Sequence, residues 1–290
     1  MQIAIKIDVN TLRGTREGAP RLVEMLKRHG LAATFFFSLG ADRSGRGIFG
    51  NTPRVSQLEH FGFKTLCYGT LLPSPDIAAH CADILRDVRD AGFEVGMRSN
   101  ENIRWRDHVM QATPEWTKRD MDLGVLRFTE IFGEAPKAHA AAGWQMNRDA
   151  LRMTQRLGFD YSSDTRGSHP FIPTWDAEIV TCPQLPTTLP TLDELIGRSS
   201  ITPENVAQHL LEISEKSLTS GHVFNVSAEL EGGKWLAIFE NILLAWQTRG
   251  YQLVSMREYW QTVKSDLPRH EVKIGEVDGR KGALAIQGQH

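Results

Sequence analysis

The residues best placed to do chemistry sit just after short apolar runs. Asp8 and Asn10 follow Ile3–Ile7, Ser38 follows Ala32–Phe37, and Arg98 to Asn102 follow Phe93–Met97. Gly143-Trp144-Gln145 follow the small-residue run Ala138–Ala142, and Asp164-Thr165-Arg166 follow Asp160–Ser163. Gln184 follows Glu178–Cys182, and Ser227-Ala228-Glu229 follow His222–Val226. In a parallel α/β barrel all these groups gather at the C-terminal ends of the strands, where the βα loops build sites. Such a ring of polar side chains suits a pocket for a polar ligand. Individual roles stay open at this level. Asp164 and Arg166 make either a salt bridge that shapes the loop or a ligand contact. Arg13 and Arg16 either meet a phosphate or flank a helix as surface charges. Trp144 either stacks on a ring of the ligand or fills the barrel mouth. His139 and His222 fall on strand runs and read as structural histidines. His169 lies nearer the expected pocket, and no spacing links it or His108 to a second ligand.

The elements that must position these groups alternate from end to end. Helical patterns cover Arg16–His29, Asp76–Ala91, Pro114–Phe132, Asn147–Leu157, Pro203–Lys216 and Lys234–Arg249, and Gln252–Val254 is a final strand. Leu22, Val23 and Leu26 mark one apolar face of the first helix, and Gly30 stops it. Strands alternating with helices mean βαβ units and a parallel sheet. The expected fold is α/β, an incomplete parallel (β/α)7 barrel in one domain over residues 1–264. Residues 41–75 interrupt the alternation with glycines, prolines, and Phe49, Phe61, Phe63, Leu66, Leu71 and Leu72. An insertion of this kind is either a loop packed on the barrel or a lid or membrane-facing patch. Residues 265–290 read as a loose polar tail.

Bulk composition narrows the function classes. Hydrophobic content is 41%, charged content is 23% and the net charge is −2. Without a basic run, no nucleic-acid partner is expected. Cys67, Cys81 and Cys182 form no C-x-x-C pair and read as reduced thiols. The first residues lack the pattern of a signal peptide, and no stretch reaches the roughly 18 apolar residues of a membrane span. A cytoplasmic protein is expected, with contact at a membrane surface left open.

The motif Ile7-Asp8-Val9-Asn10-Thr11-Leu12-Arg13-Gly14-Thr15-Arg16-Glu17-Gly18 resembles the opening of one branch of the metal-dependent polysaccharide deacetylase superfamily, the 4-deoxy-4-formamido-L-arabinose-phosphoundecaprenol deformylases. Further matches are Glu94-Val95-Gly96, Ala140 to Trp144, Ser163 to Gly167, Leu189 to Arg198 and Ala228-Glu229-Leu230-Glu231-Gly232. The resemblance implies an enzyme that removes a formyl group from an aminosugar carried on a polyprenyl phosphate, at the cytoplasmic face of the inner membrane, during lipid A modification. It also implies a divalent metal held by one Asp and an H-x-x-x-H pair, a carboxylate base and a histidine acid.

At those positions this chain departs from the family. Asp8 matches the base. Asn10 stands at the metal-binding Asp, Arg98 and Asn102 at the two metal histidines, and Ser227 at the acid histidine. Gln145 stands where many deacetylases carry arginine. Arginine cannot ligate a divalent ion, and serine cannot carry a proton near neutral pH as imidazole does. No metal or other cofactor is expected. Arg98 either points to solvent or pairs with Asp8, and the cost of an unpaired buried carboxylate favours pairing. The resulting expectation is a metal-free, catalytically impaired or inactive member. It would keep the fold and the sugar-lipid pocket, or pair with an active relative. The alternative is an amide hydrolase with a shifted metal site or a metal-free mechanism.

Overall fold

The computed structural model describes residues 1–49, 57–216 and 218–288. Its strands are β1 (Gln2–Val9), β2 (Thr34–Phe37), β3 (Glu94–Met97), β4 (Ala138–His139), β5 (Tyr161–Ser162), β6 (Ile172–Trp175), β7 (Glu178–Ile179), β8 (His222–Ser227), β9 (Gln252–Val254), β10 (Arg269–Glu276) and β11 (Ala283–Gln287). One sheet runs β5-β4-β3-β2-β1-β8, with β9 also paired to β1. Every pairing in it is parallel. This is the incomplete parallel barrel expected. Its seam, between β5 and β8, is bridged by the irregular segment 183–189: Leu185 N donates to Ser162 O at 2.7 Å, and Thr188 N to Val223 O at 3.1 Å.

The alternation of side chains along β1 decides which groups reach the interior. Ile3, Ile5, Ile7 and Val9 join the outer core with Leu22, Met25 and Leu26 of the first helix. Ala4 joins the inner core with Phe36, Ala138, Ala140, Tyr161 and Val223. Lys6 and Asp8 share the parity of Ala4 and therefore stand inside the barrel. Helix Met256–Val263, held by a capping box at Ser255 and Glu258, plugs the floor with Met256 and Tyr259. Three further helices start on side-chain caps, at Asp76, Thr113 and Asn147.

Two expectations need correction. Glu178–Cys182 is not a barrel strand: β7 pairs antiparallel with β6, in a separate sheet of order β11-β10-β6-β7. The stretch read as a loose tail contains the β10–β11 hairpin, which buries His270, Val272, Leu284 and Ala285. Apolar residues alternating with outward polar ones made it read as polar. The insertion, read as either a packed loop or a lid or membrane-facing patch, contains the short helices Gln57–Phe61 and Phe63–Cys67. It is tied to the barrel mouth where His60 Nε2 lies 3.1 Å from Ser227 Oγ and where Leu12 N donates to Asp42 at 2.9 Å. Part of the insertion, residues 50–56, lies outside the described residues.

Two glycines lock the first βα loop to the last. A Cβ on Gly18 would lie 2.0 Å from the carbonyl oxygen of Ala228, and one on Gly232 would lie 2.6 Å from the Cα of Gly18. Backbone meets backbone here, so neither side can yield cheaply. Gly18→Ala is therefore expected to lower stability by about 1–3 kcal/mol or more, read as a shift of the urea midpoint against the unsubstituted chain.

Candidate active site and its substituted centre

Asp8 ends β1 on the inner face, and Arg98 follows β3 two strands away. The Arg98 backbone is fixed by its N–H to Phe37 O at 3.0 Å. From there its guanidinium reaches back across β2, and Nη1 comes 2.6 Å from Asp8 Oδ1 with both side chains buried. The approach is off the N–H direction, so the contact is an ion pair without a well-formed hydrogen bond. Lys6, one inward step below, holds Nζ 4.0 Å from the same oxygen and donates to Ser163 O at 2.8 Å. Burial pulls its pKa down to about 8, with Asp8 opposing that shift and Arg98 adding to it. One carboxylate thus faces two buried cations.

Asn10 and Ser227 belong to a different centre, built on Glu229. The Glu229 carboxylate accepts from Asn10 N at 2.9 Å and Asn10 Nδ2 at 3.2 Å. It also accepts from Thr11 N at 2.9 Å, Thr11 Oγ1 at 2.8 Å and Ser227 Oγ at 2.6 Å. Asn10 is engaged in holding the loop. Asn102 opens helix Asn102–His108 and is half-buried.

His60, from the insertion, was not singled out from the sequence. Its Nε2 lies 3.1 Å from Ser227 Oγ, and its ring stacks on Phe61 at 4.2 Å. An imidazole from the insertion thus stands against the position where the family carries its acid histidine. Nothing in local periodicity marked it, because only the tertiary contact does.

Asp164 receives His139 Nδ1 and Ala141 N, each at 2.8 Å, and Gln184 Nε2 at 3.1 Å. Burial raises its pKa, but His139 and these hydrogen bonds prevail and hold it below the usual carboxylate range. Arg166 meets Glu194 at 2.5 Å, and its guanidinium lies 4.9 Å from the Trp144 ring centre. Arg280, from the turn of the β10–β11 hairpin, lies at the same distance from that ring and pairs with Asp193 at 3.1 Å and Glu194 at 2.8 Å. Glu194 loses stability as an anion through burial, yet the two guanidiniums bring its pKa down to about 2. Trp144 is buried and fills the mouth. Gln145 donates to Ala283 O at 2.9 Å, anchoring the hairpin. Arg13 lies apart, beside Glu17 at 3.4 Å, in a groove lined by Phe61, Phe63, Lys64 and Tyr68.

The donor set does not fit a divalent cation. Asn10 is turned to Glu229, and the guanidinium of Arg98 lies against Asp8. Among the described residues no group of three or more His, Cys, Asp or Glu could hold a metal ion.

Glu231 accepts from Ser227 N at 2.8 Å, and burial, with Asp193 and Glu229 nearby, pushes its pKa up to about 8. From an ordinary 4.5 up to about 8, the folded chain holds a proton that the unfolded chain releases. Stability must therefore fall as pH rises through that window, by up to about 1.4 kcal/mol per pH unit. Glu231→Gln is expected to flatten that slope, checked by urea unfolding at several pH values.

Against known proteins, residues 3–162 match the polysaccharide deacetylase family model. A Shewanella sediminis protein described as the 4-deoxy-4-formamido-L-arabinose-phosphoundecaprenol deformylase ArnD is 32% identical over 99% of this chain and 94% of its own length. The corresponding protein of Wigglesworthia glossinidia brevipalpis is 25% identical, over 94% and 98%. A structure described as a polysaccharide deacetylase from Mycobacterium smegmatis superposes with a TM-score of 0.67 at 15% identity, covering 95% and 94% of the two chains. With more than half of the chain matching the family model and a relative 32% identical over 99% of it, the chain belongs to the polysaccharide deacetylase family, in which it resembles the ArnD deformylases.

Proposed function

We propose that this chain binds a polyprenyl-phosphate-linked formamido sugar, the substrate class named for its ArnD relatives, and that it does so without a divalent metal. The family's metal-dependent hydrolysis does not operate in it. The observation that carries this reading is the buried ion pair of Arg98 and Asp8 at 2.6 Å. A guanidinium supplies positive charge where the family uses a metal, and it engages the carboxylate expected to act as base. The insertion supports a lipid-linked ligand, since Phe63, 75% exposed, lines a groove with Arg13 and Lys64, and Leu71 is 83% exposed. Among the described residues no helix is long and apolar enough to cross a membrane. We read the chain as a cytoplasmic protein that meets its ligand at the inner membrane surface, alone or beside an active relative.

A second reading, metal-free amide hydrolysis, is favoured by one contact, that of His60 with Ser227. Formate release from the formamido sugar lipid, unchanged by chelator, would establish it in place of the first.

The first reading makes a direct prediction. The chain incubated with manganese, cobalt or zinc retains far less than stoichiometric metal after desalting, by elemental mass spectrometry. The triple variant Asn10→Asp, Arg98→His, Asn102→His binds close to one equivalent. Stoichiometric metal in the unsubstituted chain would sink the reading.

A further inference from the structure

The Glu229–Ser227–His60 chain fixes more than the position of the insertion. Ser227 Oγ has one proton, and it goes to Glu229 Oε2 at 2.6 Å. The same oxygen can therefore only accept from His60, so the contact at 3.1 Å must be an Nε2–H donation. A neutral imidazole with its proton on Nε2 has a bare lone pair on Nδ1. That nitrogen is buried, and no hydrogen-bond partner reaches it among the described residues. The His60 residue as a whole is 7% exposed. Buried polar atoms are nearly always partnered, so an acceptor held in one tautomer at the mouth of a binding barrel points to a ligand donor.

We propose that His60 Nδ1 is the hydrogen-bond acceptor with which this pocket recognises an N–H or O–H of its ligand, and that Ser227 and Glu229 are positioning residues that hold it in that tautomer. The identity of the donor rests on the sugar-lipid reading above, in which it is the N–H of the formamido group. A carbonyl cannot serve, because two acceptors would meet. The arrangement differs from a histidine acid, which must present a proton rather than a lone pair.

The charge state agrees with this role. Burial lowers the His60 pKa below its ordinary 6.5, with Asp193 and Glu229 opposing and Arg280 and Arg106 reinforcing. Glu231 stands behind Ser227, and Phe61 covers one ring face. The ring is neutral at pH 7, and acidification converts Nδ1 from acceptor to donor. Affinity for an N–H donor must then fall with pH.

The test uses the full chain with nitrogen-15-labelled histidine, the His60 signals being assigned by their loss in His60→Gln. At pH 7 the imidazole nitrogens should report the neutral Nε2–H tautomer, and Ser227→Ala should admit the Nδ1–H form. A charged ring or an Nδ1–H tautomer in the unsubstituted chain would overturn the proposal whatever the ligand. In a second arm, 4-deoxy-4-formamido-L-arabinose on a short prenyl phosphate is titrated by calorimetry between neutral and mildly acid pH. The unsubstituted chain should lose about tenfold in affinity where the first arm shows the ring to be protonated, the size of a lost hydrogen bond. His60→Phe keeps a ring to stack on Phe61 but has no acceptor in place of Nδ1. It should bind about tenfold more weakly at neutral pH, with no pH dependence. Equal affinity and an unchanged pH profile in His60→Phe would overturn the acceptor. The expected tautomer with no binding of the probe at any pH would support the acceptor and overturn the sugar-lipid reading.

Discussion

The ion pair of Asp8 and Arg98 governs the rest of the site. Two charges buried at the end of a parallel barrel cost several kcal/mol each to desolvate, and removing one partner of such a pair typically costs about 3–5 kcal/mol. The pair persists because each member is delivered by rigid backbone: Asp8 by the alternation of β1, Arg98 by its hydrogen bond to the end of β2. A metal bound at such a position could be removed or exchanged. A guanidinium on the chain cannot, and it is charged at every physiological pH. The centre therefore carries a permanent cation whose reach is set by side-chain length rather than by coordination geometry.

Around that pair the polar groups separate into self-contained knots. Glu229 gathers five donors from three residues, Asn10, Thr11 and Ser227, and so ties the first βα loop to the last. Arg166, Arg280, Asp193 and Glu194 form a second knot around Trp144. Asp164, His139 and Gln184 form a third beneath it. Most of the polar groups first considered for chemistry are satisfied by one another. The exceptions mark where a ligand would engage, and the unpartnered nitrogen of His60 is one of them, along with oxygens of Asp8 and Asn10.

Much of this was legible in sequence, for physical reasons. Strands buried on both faces are short continuous apolar runs, so Ala32–Phe37 and His222–Val226 declared themselves, and with them the ring of residues that follow. The interior position of Lys6 was readable too, since it shares parity with Asp8, but a lysine in a strand invites assignment to the surface. The hairpin of β10 and β11 was hidden because its core contacts lie with β6, nearly a hundred residues earlier in the chain. Arg280 was hidden with it. His60 had no local signature at all, because its meaning comes from Ser227, 167 residues away.

The hairpin bears on how the protein is made. Residues 269–287 leave the ribosome after every strand of the barrel, and domains generally begin to fold from the N-terminal side during synthesis. The barrel can close around its ion pair while the wall carrying Arg280 is still being translated. Trp144, Gln145 and Glu194 then wait with one side open, and the nascent pocket is wider than the mature one. A ligand or partner that needs that wider mouth would have its chance only in the interval before the hairpin docks.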